Sequence, residues 1–120
     1  MRRRVMLLTA GMLLFAMTAS LGVQGGEFTG TWLGSCLMSK VEAHVDQDGE
    51  HIMGVCYVTA SNGERSPYHF TGIVKDGVIE AKHHSGHVFT GKLLENGEIA
   101  GTVVTAKSKH RLALTARRKP

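Results

Sequence analysis

The tripeptide Phe-Thr-Gly occurs three times in this chain, at residues 28–30, 70–72 and 89–91, among short segments of strand character separated by turn residues. The separators include Asp-Gly at 48–49 and 76–77 and Asn-Gly at 96–97, and such pairs favour tight hairpin turns. The segments run over 28–36, 40–46, 50–59, 67–75, 78–84, 87–94, 98–106 and 110–117. Connections this short join only antiparallel neighbours. We therefore predict an all-β, single-domain meander of eight strands that closes into an up-and-down barrel, with a two-sheet β-sandwich as the alternative.

The first residues have the pattern of a secretory signal. Arginines at positions 2–4 precede an apolar run over 5–21, with small residues around 19–22, which is typical of a signal peptide that is cleaved. We expect residues 1–22 to be removed and residues 23–120 to form the barrel domain. The protein is then exported, periplasmic or secreted, with no stable membrane anchor after cleavage; a retained anchor is the rival interpretation.

Charge and motifs exclude several function classes. Without the three leader arginines, eleven basic residues remain against ten acidic ones, so the basic character of the whole chain is no argument for a nucleic-acid partner. The sequence contains no Gly-x-Ser-x-Gly, His-Glu-x-x-His or phosphate-binding loop. It therefore predicts a protein that is not an enzyme and that needs no cofactor.

Side-chain alternation predicts how the strands are aligned. A two-residue Asp-Gly turn at 76–77 places Val74 opposite Ile79 on an apolar inner face. Three-residue loops at 84–86 and 95–97 keep Phe89 and Leu93 on that face. In this alignment we expect the small residues to form one row across four strands, made of Gly72, Ala81, Gly91 and Gly101. An Asp-Gly turn at 48–49 points Ile52 inward.

Alternating strand direction assigns the charged residues to two ends. The acidic end collects Glu27, Asp46, Asp48, Glu50, Asp76, Glu95 and Glu98, and the opposite end collects Lys40, Arg65, Lys82, Lys107, Lys109, His110 and Arg111. A basic mouth attracts anionic ligands or a negatively charged partner surface.

A histidine cluster gives the mouth its candidate site. The three-residue loop at 84–86 pairs His83 with His87 across the hairpin, inside the mouth and beside Tyr68. We predict that a small anionic ligand binds there, and the predicted ligand-binding residues are Tyr68, His83, His87, Lys82 and Arg65.

The same histidines suggest a metal site, because imidazoles on paired strands are close enough to share one zinc or copper ion. The predicted ligands are His83 and His87. A two-residue turn would instead align His69, His84 and His87 as the alternative ligand set. Ordinary rim histidines remain the simplest interpretation of the cluster.

The two cysteines, Cys36 and Cys56, have the same inward orientation near the mouth. An oxidising compartment makes a disulfide the expected state, although the second strand lies between them. A mixed site with His83 and His87 around a metal ion is the alternative.

The motif Gly30-Thr31-Trp32 opens the first strand of the predicted meander. In this respect the chain resembles the calycins, the architecture of lipocalins and streptavidin-like barrels. The resemblance implies a barrel closed at the Trp32 end with a ligand cup at the other. It does not carry over biotin binding, because streptavidin-like pockets contain several tryptophans and this chain has one.

A longer loop over residues 61–67 supports a second functional hypothesis. Its sequence, Ser-Asn-Gly-Glu-Arg-Ser-Pro, resembles the Ser-Gly-x-x-Tyr loops of periplasmic lysozyme inhibitors, which are also small exported β-barrels. The resemblance implies a protein-interaction or inhibitor module that acts through this loop, with Arg65 and the following Tyr68 as contact residues.

Overall fold

The structure is a computed structural model that describes residues 27–120. It contains eight strands, β1 (Gly30–Cys36), β2 (Ser39–Asp48), β3 (His51–Thr59), β4 (Arg65–Lys75), β5 (Val78–His83), β6 (Val88–Leu93), β7 (Ile99–Val104) and β8 (Arg111–Arg118). Each strand pairs antiparallel with its sequence neighbours, and β1 pairs with β8 to close the barrel. The predicted all-β meander barrel is confirmed, and the sandwich alternative is wrong.

Two predictions lie outside the described residues. The proposed leader over 1–22 and the first residues of the proposed domain, 23–26, precede the described part of the chain. Within residues 27–120, no helix has the length and apolar character needed to span a bilayer.

The predicted alignments of β4 to β7 are confirmed. Val74 lies opposite Ile79, and Leu93 lies opposite Ile99. The His83 amide donates to the His87 carbonyl at 3.0 Å, which closes a three-residue turn at 84–86. The φ of Gly86 in that turn is +103°, a conformation that glycine adopts without steric cost.

The turn between β2 and β3 lies one residue later than predicted. Asp48 pairs with His51, so the turn residues are Gly49 and Glu50, and the φ of Gly49 is +64°. This shifts the strand pairing by two positions and leaves side-chain parity unchanged. Ile52 therefore still points into the core, where it is 5% exposed.

The predicted single row of small residues is wrong. Ala81 lies opposite Phe89, and Gly91 lies opposite Ile79, so the small residues form two pairs offset along the barrel. A Cβ atom on Gly91 would come within 2.5 Å of the Phe89 ring, and one on Gly101 within 2.7 Å. These two glycines make room for the Phe89 ring inside the barrel.

The predicted disulfide is also wrong, because Cys36 and Cys56 are both free. Cys36 pairs with Ser39 on β2 and with Leu114 on β8, so the end of β1 is held on both sides. Cys56 pairs with Ala43, four residues further along β2. A strand advances about 3.3 Å per residue, and neighbouring strands lie about 4.8 Å apart. The two Cα atoms are therefore too far apart for a disulfide unless β1 leaves its ladder.

The end of the barrel that contains Trp32 is closed. Phe28 and Trp32 are each 1% exposed and form the core with residues of six other strands. The Trp32 indole N–H donates to the Phe28 carbonyl at 3.0 Å. The Arg118 guanidinium lies 4.5 Å from the centre of the Trp32 ring and donates to the backbone carbonyls of Thr29 and Glu27.

Candidate functional site: the open end of the barrel

The barrel interior contains a cavity of about 480 Å³. Phe28 and Trp32 line its floor, and Leu37, His83 and Thr105 line its mouth at the opposite end. Most of the other lining residues are apolar, among them Val41, Val58, Phe70, Val103, Leu112 and Leu114. A volume between about 300 and 1,000 Å³ is typical of small-molecule sites. An apolar cavity of this kind favours an apolar occupant over water.

Three aromatic side chains with polar tips meet at the mouth. Tyr68 from β4 lies 5.2 Å from the ring of His83 and 6.2 Å from the ring of His87, between centroids. The two imidazoles are stacked at 6.0 Å with an interplanar angle of 20°. The structure thus brings together the Tyr68, His83 and His87 side chains that the sequence places at the mouth.

Backbone hydrogen bonds determine which nitrogen of each imidazole carries the proton. The Ala106 amide donates to Nδ1 of His87 at 3.0 Å, and the Ser85 amide donates to Nδ1 of His83 at 3.2 Å. An accepting Nδ1 has no proton, so the neutral ring carries its proton on Nε2. Both histidines therefore present an Nε2–H group as a hydrogen-bond donor.

These donors have no acceptor among the residues that the structure describes. Among residues 27–120, neither Nε2 of His83 or His87 nor the hydroxyl of Tyr68 has a hydrogen-bond partner. The three rings that carry these donors therefore lie together at the entrance of an apolar cavity. The complementary group is a hydrogen-bond acceptor, and an anionic acceptor gives the strongest bonds.

The alternative set of predicted metal ligands, His69, His84 and His87, does not share one face. His69 is exposed on the outer face of β4, and His84 is exposed in the turn. In the part of the chain that the structure describes, no three or more His, Cys, Asp or Glu side chains are grouped so that they could hold a metal ion. The Nδ1 atoms of His83 and His87 already accept hydrogen bonds, and their Nε2 atoms carry protons. A metal ion could bind Nε2 of this pair only after the proton on that nitrogen is lost or moves to Nδ1, where it would displace the hydrogen bond from a backbone amide.

The environment of His83 disfavours its charged form. Desolvation, followed by the charges of His84, His87 and His69, lowers the pKa of His83 from its ordinary value of 6.5. A proton on Nδ1 would also occupy the lone pair that accepts the hydrogen bond from the Ser85 amide. Near neutral pH, His83 therefore acts as a neutral donor.

Neither predicted basic ligand-binding residue points into the cavity. Lys82 lies near the mouth, between the inward-facing Ala81 and His83, so its exposed side chain is on the outer face of β5. Arg65 lies on the outer face, where its guanidinium is 4.3 Å from the centre of the Tyr57 ring. Arg65 therefore belongs to the outer wall, apart from Tyr68 and the two inward histidines.

Both thiols line the cavity. Burial, followed by the charge of Cys36, raises the pKa of Cys56 to about 11. Burial also raises the pKa of Cys36. Because the thiolate is the nucleophile and the metal ligand, these protonated thiols behave as lining groups of the cavity.

The turns and strand ends around the mouth carry mainly basic side chains and, in one turn, apolar ones. The exposed basic side chains of this rim are Lys40, Arg65, Lys82, Lys107, Lys109 and Arg111. Among the described turns at this end, Glu64 supplies the acidic side chain. The β1–β2 turn is Leu37–Met38, and these side chains are 73% and 83% exposed.

Sequence reasoning missed several of these features. Ser85 and Ala106 orient the histidines through backbone amides, which no residue type signals. The conformation of Leu37, with φ of +56°, was also missed. The only signal available was a three-residue gap, Leu-Met-Ser at 37–39, between two predicted strands, without the usual glycine or asparagine.

Comparisons of the chain with protein-family models, with curated proteins and with solved structures give no match. Its functional interpretation therefore depends on the barrel, the cavity and the donors at the mouth.

Proposed function

We propose that the protein is an exported, non-enzymatic binding protein for a small amphipathic molecule, with an apolar body and an anionic or otherwise hydrogen-bond-accepting head. The observation that supports this most is the grouping of the Tyr68, His83 and His87 rings, whose outer polar atoms have no partner among residues 27–120, at the entrance of an apolar cavity.

The cavity accounts for the apolar body of the ligand. Burial of apolar surface contributes about 25 cal/mol per Å², so even a short hydrocarbon chain gains several kcal/mol before the costs of immobilisation. The Phe28 and Trp32 floor limits how deep the chain can enter.

The mouth accounts for the head group. A carboxylate beside Tyr68, His83 and His87 accepts hydrogen bonds from neutral donors, each worth about 1.5–3 kcal/mol when the acceptor is charged. The basic side chains of the rim add a favourable field. This arrangement supports an organic anion over a metal ion, because the backbone amides at both Nδ1 atoms favour the tautomer with the proton on Nε2.

Dodecanoate is a suitable first probe, with dodecanol as its uncharged counterpart. Trp32 is the single tryptophan of the chain and lies at the cavity floor, so its emission reports an occupant directly, alongside calorimetry. We expect dodecanoate to bind more tightly than dodecanol. Failure of both compounds to bind would contradict the proposal.

Three variants separate the two parts of the site. Tyr68→Phe keeps the ring and removes the hydroxyl, so dodecanoate affinity falls about tenfold while dodecanol changes less. Val58→Phe fills the cavity and weakens both probes. Met53→Ser changes an exposed side chain of the outer wall and leaves both affinities unchanged.

Zinc and copper test the metal hypothesis directly. Calorimetry at neutral pH is expected to show no stoichiometric binding to the protein. Tight binding that His83→Gln and His87→Gln both abolish would support the metal hypothesis instead. Export is tested separately by N-terminal sequencing of the mature protein, which we expect to begin near residue 23.

A protein-interaction module is the second candidate function. The Ala60 amide donates to the Glu64 carbonyl at 2.8 Å, and the Glu64 amide donates to the Asn62 side chain at 2.9 Å, so the exposed loop has a defined shape. Next to it, Arg65 stacks on Tyr57 on the outer wall. Lysozyme is the partner to test, and Arg65→Ala should abolish its inhibition if the loop acts as an inhibitor.

A further inference from the structure

The β1–β2 turn presents two large apolar side chains to solvent. Leu37 is 73% exposed and Met38 is 83% exposed. Leu37 also lies at the mouth of the cavity. An apolar pair at the tip of a two-residue hairpin contributes little to the core, so burial among residues 27–120 does not explain these residues.

The backbone conformation of this turn disfavours leucine at position 37. Its φ of +56° lies in the left-handed region, where glycine has no steric cost and leucine does. Glycine there would favour folding and would remove an exposed apolar side chain. The presence of leucine is therefore explained better by a contact outside the chain.

The surroundings of the turn identify the kind of contact. On one side, the connection before β8 carries Lys107 and Lys109, and β8 begins with Arg111. On the other side, β2 carries Lys40 close to the turn. Exposed apolar side chains with basic residues around them match the interface of a bilayer that contains anionic lipids.

We propose that the Leu37–Met38 tip inserts into the interface of an anionic lipid bilayer and that the basic rim binds the lipid head groups, so that the cavity mouth faces the membrane. The contact is peripheral and reversible, because two side chains and a few basic residues do not make a permanent anchor. The inference goes beyond ligand binding and is tested on the protein without any added ligand.

Vesicle sedimentation tests the proposal. We expect binding to vesicles of equal phosphatidylglycerol and phosphatidylcholine, weak binding to phosphatidylcholine alone, and loss of binding between about 50 and 500 mM salt. Leu37→Gly and Met38→Ser should each reduce binding about tenfold. The matched control, Met53→Ser, removes an apolar side chain that is 57% exposed on the outer wall and should have no effect.

The basic residues are tested in the same assay. Lys107→Gln combined with Lys109→Gln should weaken binding to the anionic vesicles, whereas Lys75→Gln combined with Lys92→Gln, at the other end of the barrel, should not. Unchanged Trp32 emission and an unchanged unfolding midpoint in both double-lysine variants exclude a folding defect.

Insertion has its own readout. In Met38→Trp, the added tryptophan emission should shift to shorter wavelength with anionic vesicles, while Met53→Trp should show no shift. Lack of binding to anionic vesicles, or equal losses in Leu37→Gly and Met53→Ser, would overturn the proposal. Capture of a protein partner without vesicle binding would overturn it too.

Discussion

The two ends of the barrel differ in how completely their side chains are buried and hydrogen-bonded. At the closed end, Phe28 and Trp32 are buried. Arg118 covers the indole ring and donates hydrogen bonds to the backbone just before β1. At the open end, the Nε2–H groups of His83 and His87 have no protein acceptor in the described residues, and the turn nearby exposes Leu37.

Within one sheet, the region that stabilises the fold is separate from the region where we propose that a ligand binds. Every strand runs between the two ends, so the closed end supplies packing energy to the same strands that carry the unpaired groups. The open end can therefore keep donors and apolar side chains exposed without loss of the fold, a division that is common where strain and exposure serve binding. Substitutions at the two ends should consequently differ in what they change.

The largest effect is expected at the closed end. Trp32→Ala leaves a void among the buried core residues and removes the hydrogen bond to Phe28, so the free energy of unfolding should fall by about 3–5 kcal/mol. Urea denaturation measures the loss. At the open end, Val58→Phe should change this free energy much less, and comparable losses for both variants would contradict the comparison.

The thiol of Cys56 gives a chemical measure of how protected the cavity wall is. With its pKa raised from 9.0 to about 11, the thiolate fraction at pH 8, and with it the rate of alkylation by iodoacetamide, should be about a hundredfold lower than for a free thiol. The assay follows Cys56 in the unchanged protein by peptide mass spectrometry, which distinguishes its alkylation from that of Cys36 and keeps the Cys36 charge that contributes to this pKa. An ordinary rate would show that the wall opens readily.

The same group predicts an alkaline limit to stability. Its raised pKa means that the folded state holds the thiol proton more tightly than the unfolded chain. This contribution is fully present below pH 9.0 and is lost as the pH rises through about 11. Cys56→Val should remove that part of the pH dependence.

Arg118→Met tests the outer cover of the closed end. The change keeps an apolar stem near the Trp32 ring and removes the hydrogen bonds to Thr29 and Glu27. We expect a loss of about 1–2 kcal/mol in the free energy of unfolding. Arg117→Met, on the exposed neighbouring position, is the matched control and should be nearly neutral.

Leu37→Gly should have the opposite sign at the open end. Relief of the left-handed conformation should raise the free energy of unfolding by up to about 1 kcal/mol. The same variant should bind anionic vesicles less well, so one substitution makes the fold more stable and the surface less functional. A destabilised Leu37→Gly protein would mean that the turn contributes to the fold after all.

The smallest effect concerns pH and the mouth. Because the pKa of His83 is lowered from 6.5, the unfolded chain takes up a proton more readily than the folded one. The contribution of His83 to stability is therefore present above pH 6.5 and declines as the pH falls below that value. His83→Gln should flatten the acid side of the profile, whereas His51→Gln, exposed beside the closed-end turn, should not.

Local sequence determined most of the fold. Asp-Gly and Asn-Gly pairs, together with the need to keep Phe89 and Leu93 inside, predicted eight strands and the three-residue turn that pairs His83 with His87. Side-chain parity is robust, since the shift of the β2–β3 turn by one residue still left Ile52 inside.

The rest depended on geometry that sequence patterns do not specify. Parity placed both cysteines inside but carried no information about their offset along β2, so the disulfide was predicted wrongly. Arg65 was assigned to the mouth by its end of the strand, although its side chain lies on the outer face. The proton positions on the histidines depend on two loop amides, which only the folded turns bring into place.

The pairing of β1 with β8 sets the order in which the protein can fold. The Arg118 guanidinium reaches the Thr29 carbonyl across 89 positions of the chain, and contacts so distant in sequence form late, after the loops between them have closed. Seven strands can meet in sequence order as a curved sheet with two free edges. Only the last strand removes those edges, so a chain that emerges from its N-terminal side stays open to edge-to-edge association until residues 111–118 arrive.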